Sequence, residues 1–244
     1  MISNGGRDAF VAKFDNTGSL LWDIPFGGLG TSTDEAINAV AVDAANNVYV
    51  TGVYYGTIDA DPSANVAHLV ANGQSEVFVI KYDATGNLVW AKSMGGTQWE
   101  AANDLIVDGS GNVYLTGLFY GTSDYDPGAG TTNLVSNGNY DVFVVKLDGN
   151  GDLVWANSFG SSADDFGNSI AVDASGNVIV GGYFQGTVDF DPGTGTDNHS
   201  SVGVKDIFVA KFDANGNHIW ASRMGGIGDC LLYTSPSPRD RSLS

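Results

Sequence analysis

The chain has 244 residues, of which only 16% are charged, while Gly numbers 34 and hydrophobic residues reach 43%. That composition excludes a disordered polymer and a coiled coil and supplies ample material for a core. Lys plus Arg is 10 against 28 acidic residues, a net charge of −18, so the surface repels phosphate backbones and anionic headgroups and no nucleic acid partner is expected.

Of the acids 25 are Asp and 3 are Glu, which suits turns better than helix surfaces. No apolar run approaches the ~18 residues a spanning helix needs, so membrane insertion is not expected. Residues Met1 to Arg7 carry no signal-peptide h-region. Ser3-Asn4-Gly5-Gly6-Arg7-Asp8 instead matches Ser136-Asn137-Gly138-Asn139-Tyr140-Asp141, which predicts that the chain starts inside a repeat unit. Stacking Asp8-Ala9-Phe10-Val11, Glu76-Val77-Phe78-Val79, Asp141-Val142-Phe143-Val144 and Asp206-Ile207-Phe208-Val209 gives intervals of 68, 65 and 65 residues. The interval of 65 also separates Asp43, Asp108 and Asp173, and the pairs Asp61-Pro62, Asp126-Pro127 and Asp191-Pro192. Trp22, Trp90, Trp155 and Trp220 follow nearly the same spacing, the three additional residues falling in the loop after Gly28.

Each unit holds four apolar runs, A to D. In the third complete unit they are 168–172, 177–184, 206–212 and 217–222. Asp173-Ala174-Ser175-Gly176-Asn177 joins A to B and Asp213-Ala214-Asn215-Gly216-Asn217 joins C to D, the short Gly-containing loops of antiparallel hairpins. Run C has Phe143, Val145 and Leu147 on one face and Val142 and Val144 on the other, so both faces require cover. Four antiparallel strands per unit, tandem units and two-sided burial predict an all-β fold, a β-propeller segment with three full blades at 34–93, 100–159 and 165–224. A half blade at 8–24 precedes them, and the whole forms an open arc. A β-solenoid is the rival, but its coils are far shorter than this repeat.

The string Ile170-Ala171-Val172-Asp173-Ala174-Ser175-Gly176-Asn177-Val178-Ile179-Val180-Gly181-Gly182, like Asp206-Ile207-Phe208-Val209-Ala210-Lys211-Phe212-Asp213, resembles the bacterial β-propeller repeat called the SBBP repeat. The resemblance covers residues 3 to 229. It implies a propeller module of a large secreted or surface-attached bacterial protein without a known catalytic role, and hence an extracellular or cell-surface location. The chain departs from the commoner short form by its 20-residue B–C segments.

Those segments open with Gly-Thr-x-Asp-x-Asp-Pro, giving the pairs Asp59 and Asp61, Asp124 and Asp126, and Asp189 and Asp191. Residues two apart in a strand share a face, so each pair offers hard oxygens suited to Ca²⁺. The other reading is an Asp that opens a turn and charges a sheet edge. Asp148-Gly149-Asn150-Gly151-Asp152 has the start of an EF-hand loop but lacks its later ligands, and reads as a hairpin turn. Glu35, Glu100 and Asp165 recur with Asn38, Asn103 and Asn168 at the entry to run A. They are placed either to line a propeller channel or to satisfy backbone groups of the D–A connection. His68, His199 and His218 occur once each in their contexts, with no paired nucleophile or metal-ligand spacing. No catalytic or cofactor residue is assigned; Ca²⁺ is the one candidate ion.

The tail from Cys230 holds the single Cys and breaks the repeat, and Cys230-Leu231-Leu232-Tyr233-Thr234-Ser235 resembles the translation of a sequencing-library adapter, so 230–244 is read as a non-native tail. The expected function is a non-enzymatic scaffold whose B–C segments lie on one face and bind protein or glycan, with neighbouring blades of a longer chain as further partners. The alternative is part of a propeller hydrolase or lyase whose catalytic residues lie in other blades.

Overall fold

The computed structural model describes residues 9–27, 35–61, 63 and 65–227. The loop after Gly28, Pro62, the tail 230–244 and the first residues assigned to the half blade and first blade lie outside them. A half module consists of β1 (Ala9–Phe14) and β2 (Leu20–Phe26). The first full module contains β3 (Ala36–Val42), β4 (Val48–Tyr54), the short β5 (Thr57–Asp59) and β6 (His68–Val70), then β7 (Glu76–Tyr82) and β8 (Leu88–Gly96). The second repeats this with β9 (Glu100–Val107), β10 (Val113–Phe119), β11 (Thr122–Asp124), β12 (Asn133–Val135), β13 (Asp141–Leu147) and β14 (Leu153–Phe159). The third has β15 (Phe166–Val172), β16 (Val178–Phe184), β17 (Thr187–Asp189), β18 (Asn198–Ser200), β19 (Asp206–Phe212) and β20 (His218–Met224). Every pairing is antiparallel, and in each full module the A, B, C and D strands are neighbours in that order.

Sequence dictates the hairpins locally. In the A–B and C–D turns an Asp accepts N–H groups two and four residues on, as Asp148 Oδ1 does from Asn150 at 2.8 Å and Asp152 at 3.0 Å. The residue before the last N–H donor sits in the left-handed region, Gly111, Gly151 and Gly216 at φ +83°, +79° and +84°. Asn46 fills that role in the first module at φ 64°, a conformation Asn tolerates.

The predicted two-sided burial is present, and it places the cores between modules. Val77, Val79 and Met94 of the first module pack against Leu105, Leu115, Phe143 and Val145 of the second. Val142, Val144 and Phe159 then pack against Ile170, Val180 and Phe208 of the third, and Val11 and Ile24 against Val50 and Phe78 of the first.

A D-strand Trp latches each junction. Trp22 Nε1 donates to the Ala84 carbonyl at 3.2 Å, Trp90 to Gly149 at 3.1 Å and Trp155 to Ala214 at 3.2 Å, each acceptor lying in the next module's C–D turn. Lys13 and Lys146 donate to two of the same carbonyls, Ala84 and Ala214, each at 3.1 Å. The turn glycine lies flat on the indole: a Cβ on Gly86, Gly151 or Gly216 would stand 3.1, 3.2 or 2.9 Å from Trp Cδ2.

Candidate functional site

The B–C segments are more ordered than loops. Each folds into a two-stranded hairpin, and β11 also pairs with the end of β8, Ser123 opposite Gly96 and Asp124 opposite Gly95. The second module's hairpin thus extends the first module's sheet. Inside each hairpin the repeated Asp residues cap the backbone. Asp124 Oδ1 accepts N–H groups from Asp126 at 3.0 Å and Thr132 at 2.8 Å, and Asp126 Oδ1 accepts from Gly128 at 2.8 Å. Asp189 and Asp191 repeat the arrangement with Asp197 and Gly193, and Asp59 and Asp61 with Ala67 and Ser63. Among the described residues no three His, Cys, Asp or Glu side chains stand together as a metal-ligand group. The stems are fixed; the tips at 63, 65–66, 128–131 and 193–196 are exposed.

The A-strand residues divide into two roles. Asn38, Asn103 and Asn168 are the extra residue of a β-bulge, skipped in the pairing of A with B. Asn38 Nδ2 donates to the Ala102 carbonyl at 2.7 Å and Asn103 Nδ2 to that of Gly167 at 2.9 Å, so the amides tie each bulge to the next module's bulge. Opposite the bulge stands Gly52, Gly117 or Gly182, where a Cβ would meet a carbonyl oxygen at 1.9 or 2.0 Å.

Glu35, Glu100 and Asp165 are buried. Glu76, Asp141 and Asp206 at the starts of the C strands are buried as well. Glu76 Cγ and Glu100 Oε2 converge on one point, 2.7 and 3.0 Å from where a Cβ on Gly95 would stand. Glu100 Oε1 accepts from Ser123 Oγ at 2.6 Å, and the Gly96 N–H also faces the carboxylate. Burial pushes the Glu100 carboxyl up to about 7, against the Ser123 bond and with help from the charge of Glu76. Burial likewise pushes Asp141 up to about 7, against the Asn137 N–H and with help from the charge of Asp165. Asp165, whose oxygens accept from Ser161 and Gln185 N–H groups, is raised by burial too. Asp206 pairs with Arg223 at 2.9 Å.

One cluster breaks the repeat. His199 Nε2 stands 3.0 Å from Asp197 Oδ1, and His218 Nε2 stands 3.1 Å from Asp197 Oδ2, close but not aligned as a hydrogen bond. Oδ2 also accepts the Ala221 N–H at 3.0 Å. The equivalent positions are Thr132, Leu134 and Leu153 in the second module and Ala67, Leu69 and Leu88 in the first, all but Thr132 part of the apolar packing there. A cavity of about 300 Å³ lies beside His218, walled by Asn157, the tip from Asp191 to Gly195 and the turn from Asn215. No spacing in the sequence joins the three residues, and Asp197 stands out only against Ala67 and Thr132 at the equivalent positions. His68 stands in β6 on the first hairpin, apart from this cluster.

This architecture is an all-β array of antiparallel four-stranded modules, consistent with a propeller-like repeat fold. No protein-family model matches the chain. Over 87% of its length it is 26% identical to an uncharacterized WD repeat-containing protein of Acanthamoeba polyphaga mimivirus, of which it covers 17%. Over 76% of its length it is 26% identical to regulatory protein FlaEY of Caulobacter vibrioides, of which it covers 20%. The chain therefore spans about a fifth of these curated relatives. A crystal structure of a protein of unknown function from Bacteroides caccae aligns with 90% of this chain and 94% of its own at 10% identity, with a TM-score of 0.27, too low to bear on the fold.

Proposed function

We propose that the chain is a β-propeller segment of the SBBP-repeat kind and acts as a non-enzymatic scaffold of a secreted or cell-surface protein. Its B–C hairpins hold protein or glycan partners. The observation that carries this reading is the contrast within those hairpins: stems capped by the same Asp pairs in all three modules, and exposed tips that differ, Gly128-Ala129-Gly130-Thr131 against Gly193-Thr194-Gly195-Thr196. A conserved frame with variable exposed tips suits recognition. The similarity to a protein named for WD repeats supports the repeat-scaffold part.

The test is a glycan array and a panel of purified surface proteins, probed with the native chain and with one whose tips 128–131 and 193–196 are replaced by the first module's tip. Binding that disappears with the replacement supports the reading; binding that survives it overturns the assignment to the tips. If the six Asp serve only as the backbone caps seen here, added Ca²⁺ is expected to leave the melting temperature unchanged in the native chain and in Asp124→Asn, Asp126→Asn alike. A Ca²⁺-dependent rise confined to the native chain would reverse that assignment.

A second enzymatic reading, distinct from the one that places catalytic residues in other blades, draws on the His199–Asp197–His218 cluster beside its cavity. Hydrolase activity on ester or glycoside substrates that is lost in His199→Leu, His218→Leu would favour it.

A further inference from the structure

At the base of the second B–C hairpin lies a cavity of about 370 Å³ walled by Tyr120, Asn139, Tyr140 and Asp164, within the size range of small-ligand sites. It belongs to the middle module and has a full module on either side. The two tyrosine rings stand 6.0 Å apart, centre to centre, and are tilted by 57°. Backbone bonds hold the walls. Tyr120 N–H donates to the Trp99 carbonyl at 3.0 Å, and Asp165 N–H donates to the Tyr140 carbonyl at 2.7 Å, which sets Asp164 beside Tyr140. The D–A connection that carries Asp164 packs tightly on the hairpin, since a Cβ on Gly138 would stand 2.4 Å from Ser162 Cα. Comparison with the other modules shows what is particular to this place. In the first module Trp99 occupies the position of Asp164, meets Tyr55 edge-on at 5.7 Å and bonds through Nε1 to Gln74 Oε1. In the third module the counterpart of Tyr140 is Lys205, whose Nζ lies 4.4 Å from the centre of the Tyr183 ring. This face therefore already carries an ammonium on a tyrosine ring, and three further lysines lie over rings elsewhere in the chain at 5.0 to 5.9 Å. Among the described residues no Lys or Arg lies over Tyr120 or Tyr140 or pairs with Asp164.

We propose that this cavity binds an organic ammonium group, carried either by a free quaternary amine or by a methylated lysine of a partner protein. Its methyl groups lie against the Tyr120 and Tyr140 rings, whose π faces attract a cation, and its charge faces Asp164. The net charge of −18 draws cations to the surface and repels phosphate, so the field of the whole chain favours the same ligand. Walls fixed by backbone bonds need little ordering when the ligand enters. The site is separate from the hairpin tip at 128–131, so it holds whether or not the tips bind partners.

The experiment is isothermal titration of the full chain, at fixed ionic strength, with choline and with dimethylbutanol, its uncharged carbon isostere. Choline is expected to bind at least about tenfold more tightly than the alcohol, the order of effect of a cation held between rings and a carboxylate. Tyr140→Ser, which installs the first module's residue, and Asp164→Asn are each expected to weaken choline at least about fivefold. Unchanged circular dichroism certifies the fold of both variants, and Asp164→Asn keeps the shape of the wall. A peptide bearing trimethyllysine forms the second arm, and the tighter of the two ligands identifies the source of the ammonium group. Replacing the tip at 128–131 is expected to leave choline affinity unchanged, so failure of this site and failure of the tip reading show separately. Binding in neither arm, equal affinity for choline and the alcohol, or affinity unmoved by Tyr140→Ser and Asp164→Asn overturns the proposal. An uncharged oligosaccharide that binds at these residues and is not displaced by choline overturns it as well.

Discussion

At the turns, Asp83, Asp173 and Asp213 are held below the usual carboxylate range by the side-chain amide of the Asn four residues on, whereas Glu100 and Asp141 are pushed up to about 7 by burial. The two groups act on stability in opposite directions. The turn acids stabilise the fold above the unfolded carboxylate range, and that contribution is lost as pH falls below about 4. Glu100 and Asp141 hold protons more tightly folded than unfolded, so their contribution is present at low pH and declines as pH rises from about 4 through about 7. Stability is therefore expected to peak near about pH 4, with a melting temperature that falls from there to about pH 7 and then levels off. Glu100→Gln with Asp141→Asn should flatten that fall; an unchanged slope would assign it to other groups. The His199–Asp197–His218 cluster occupies positions that are mostly apolar in the other modules, and Asp197→Thr, His199→Leu, His218→Leu restores the second module's set. Replacing a half-buried polar cluster by well-packed leucines should raise stability by about 1–2 kcal/mol in urea denaturation. A loss would show that the Asp197 bond to the Ala221 N–H outweighs the packing.

At the scale of elements, two glycines separate backbone strain from packing. Gly111 and Gly151 have nearly the same positive φ, but a Cβ on Gly111 meets nothing within 4 Å, while one on Gly151 stands 3.0 Å from Lys92 Cε and 3.2 Å from Trp90 Cδ2. Gly111→Ala should cost about 1 kcal/mol from conformation alone and Gly151→Ala about 1–2 kcal/mol more, because the indole must move. Equal losses in denaturant would mean that the Trp latch contributes little. Strands, turns and two-sided burial were legible because they are local: Asp, Gly and Asn sit at fixed offsets, and apolar residues alternate along run C. The docking of the second B–C hairpin on the first module's sheet was not, since Asp124 pairs with Gly95 of the preceding module and no local pattern marks that partner. The bulge role of Asn103 escaped for the same reason, its acceptor Gly167 lying 64 residues on. The Trp recurrence was visible in sequence, but its acceptor in the next module's turn was not.

For the whole molecule, the decisive feature is that the three cores lie between modules and none lies within a single sheet. A four-stranded sheet with Phe143 on one face and Val144 on the other has no interior of its own, so its stability belongs to its junctions. Such an array should behave as a sum of nearest-neighbour terms, in which each added module contributes chiefly the interface it completes. Residues 97–163, one module alone, are therefore expected to give a largely unfolded circular dichroism spectrum. Residues 97–227, two modules sharing the core of Phe159, Ile170 and Phe208, should fold but melt below the full chain. The slope of stability against urea tracks the surface exposed on unfolding, so it should rise with the number of junctions rather than the number of modules. A single module that folds with a cooperative transition would place the core inside the sheet and refute this account of how the repeat is held together.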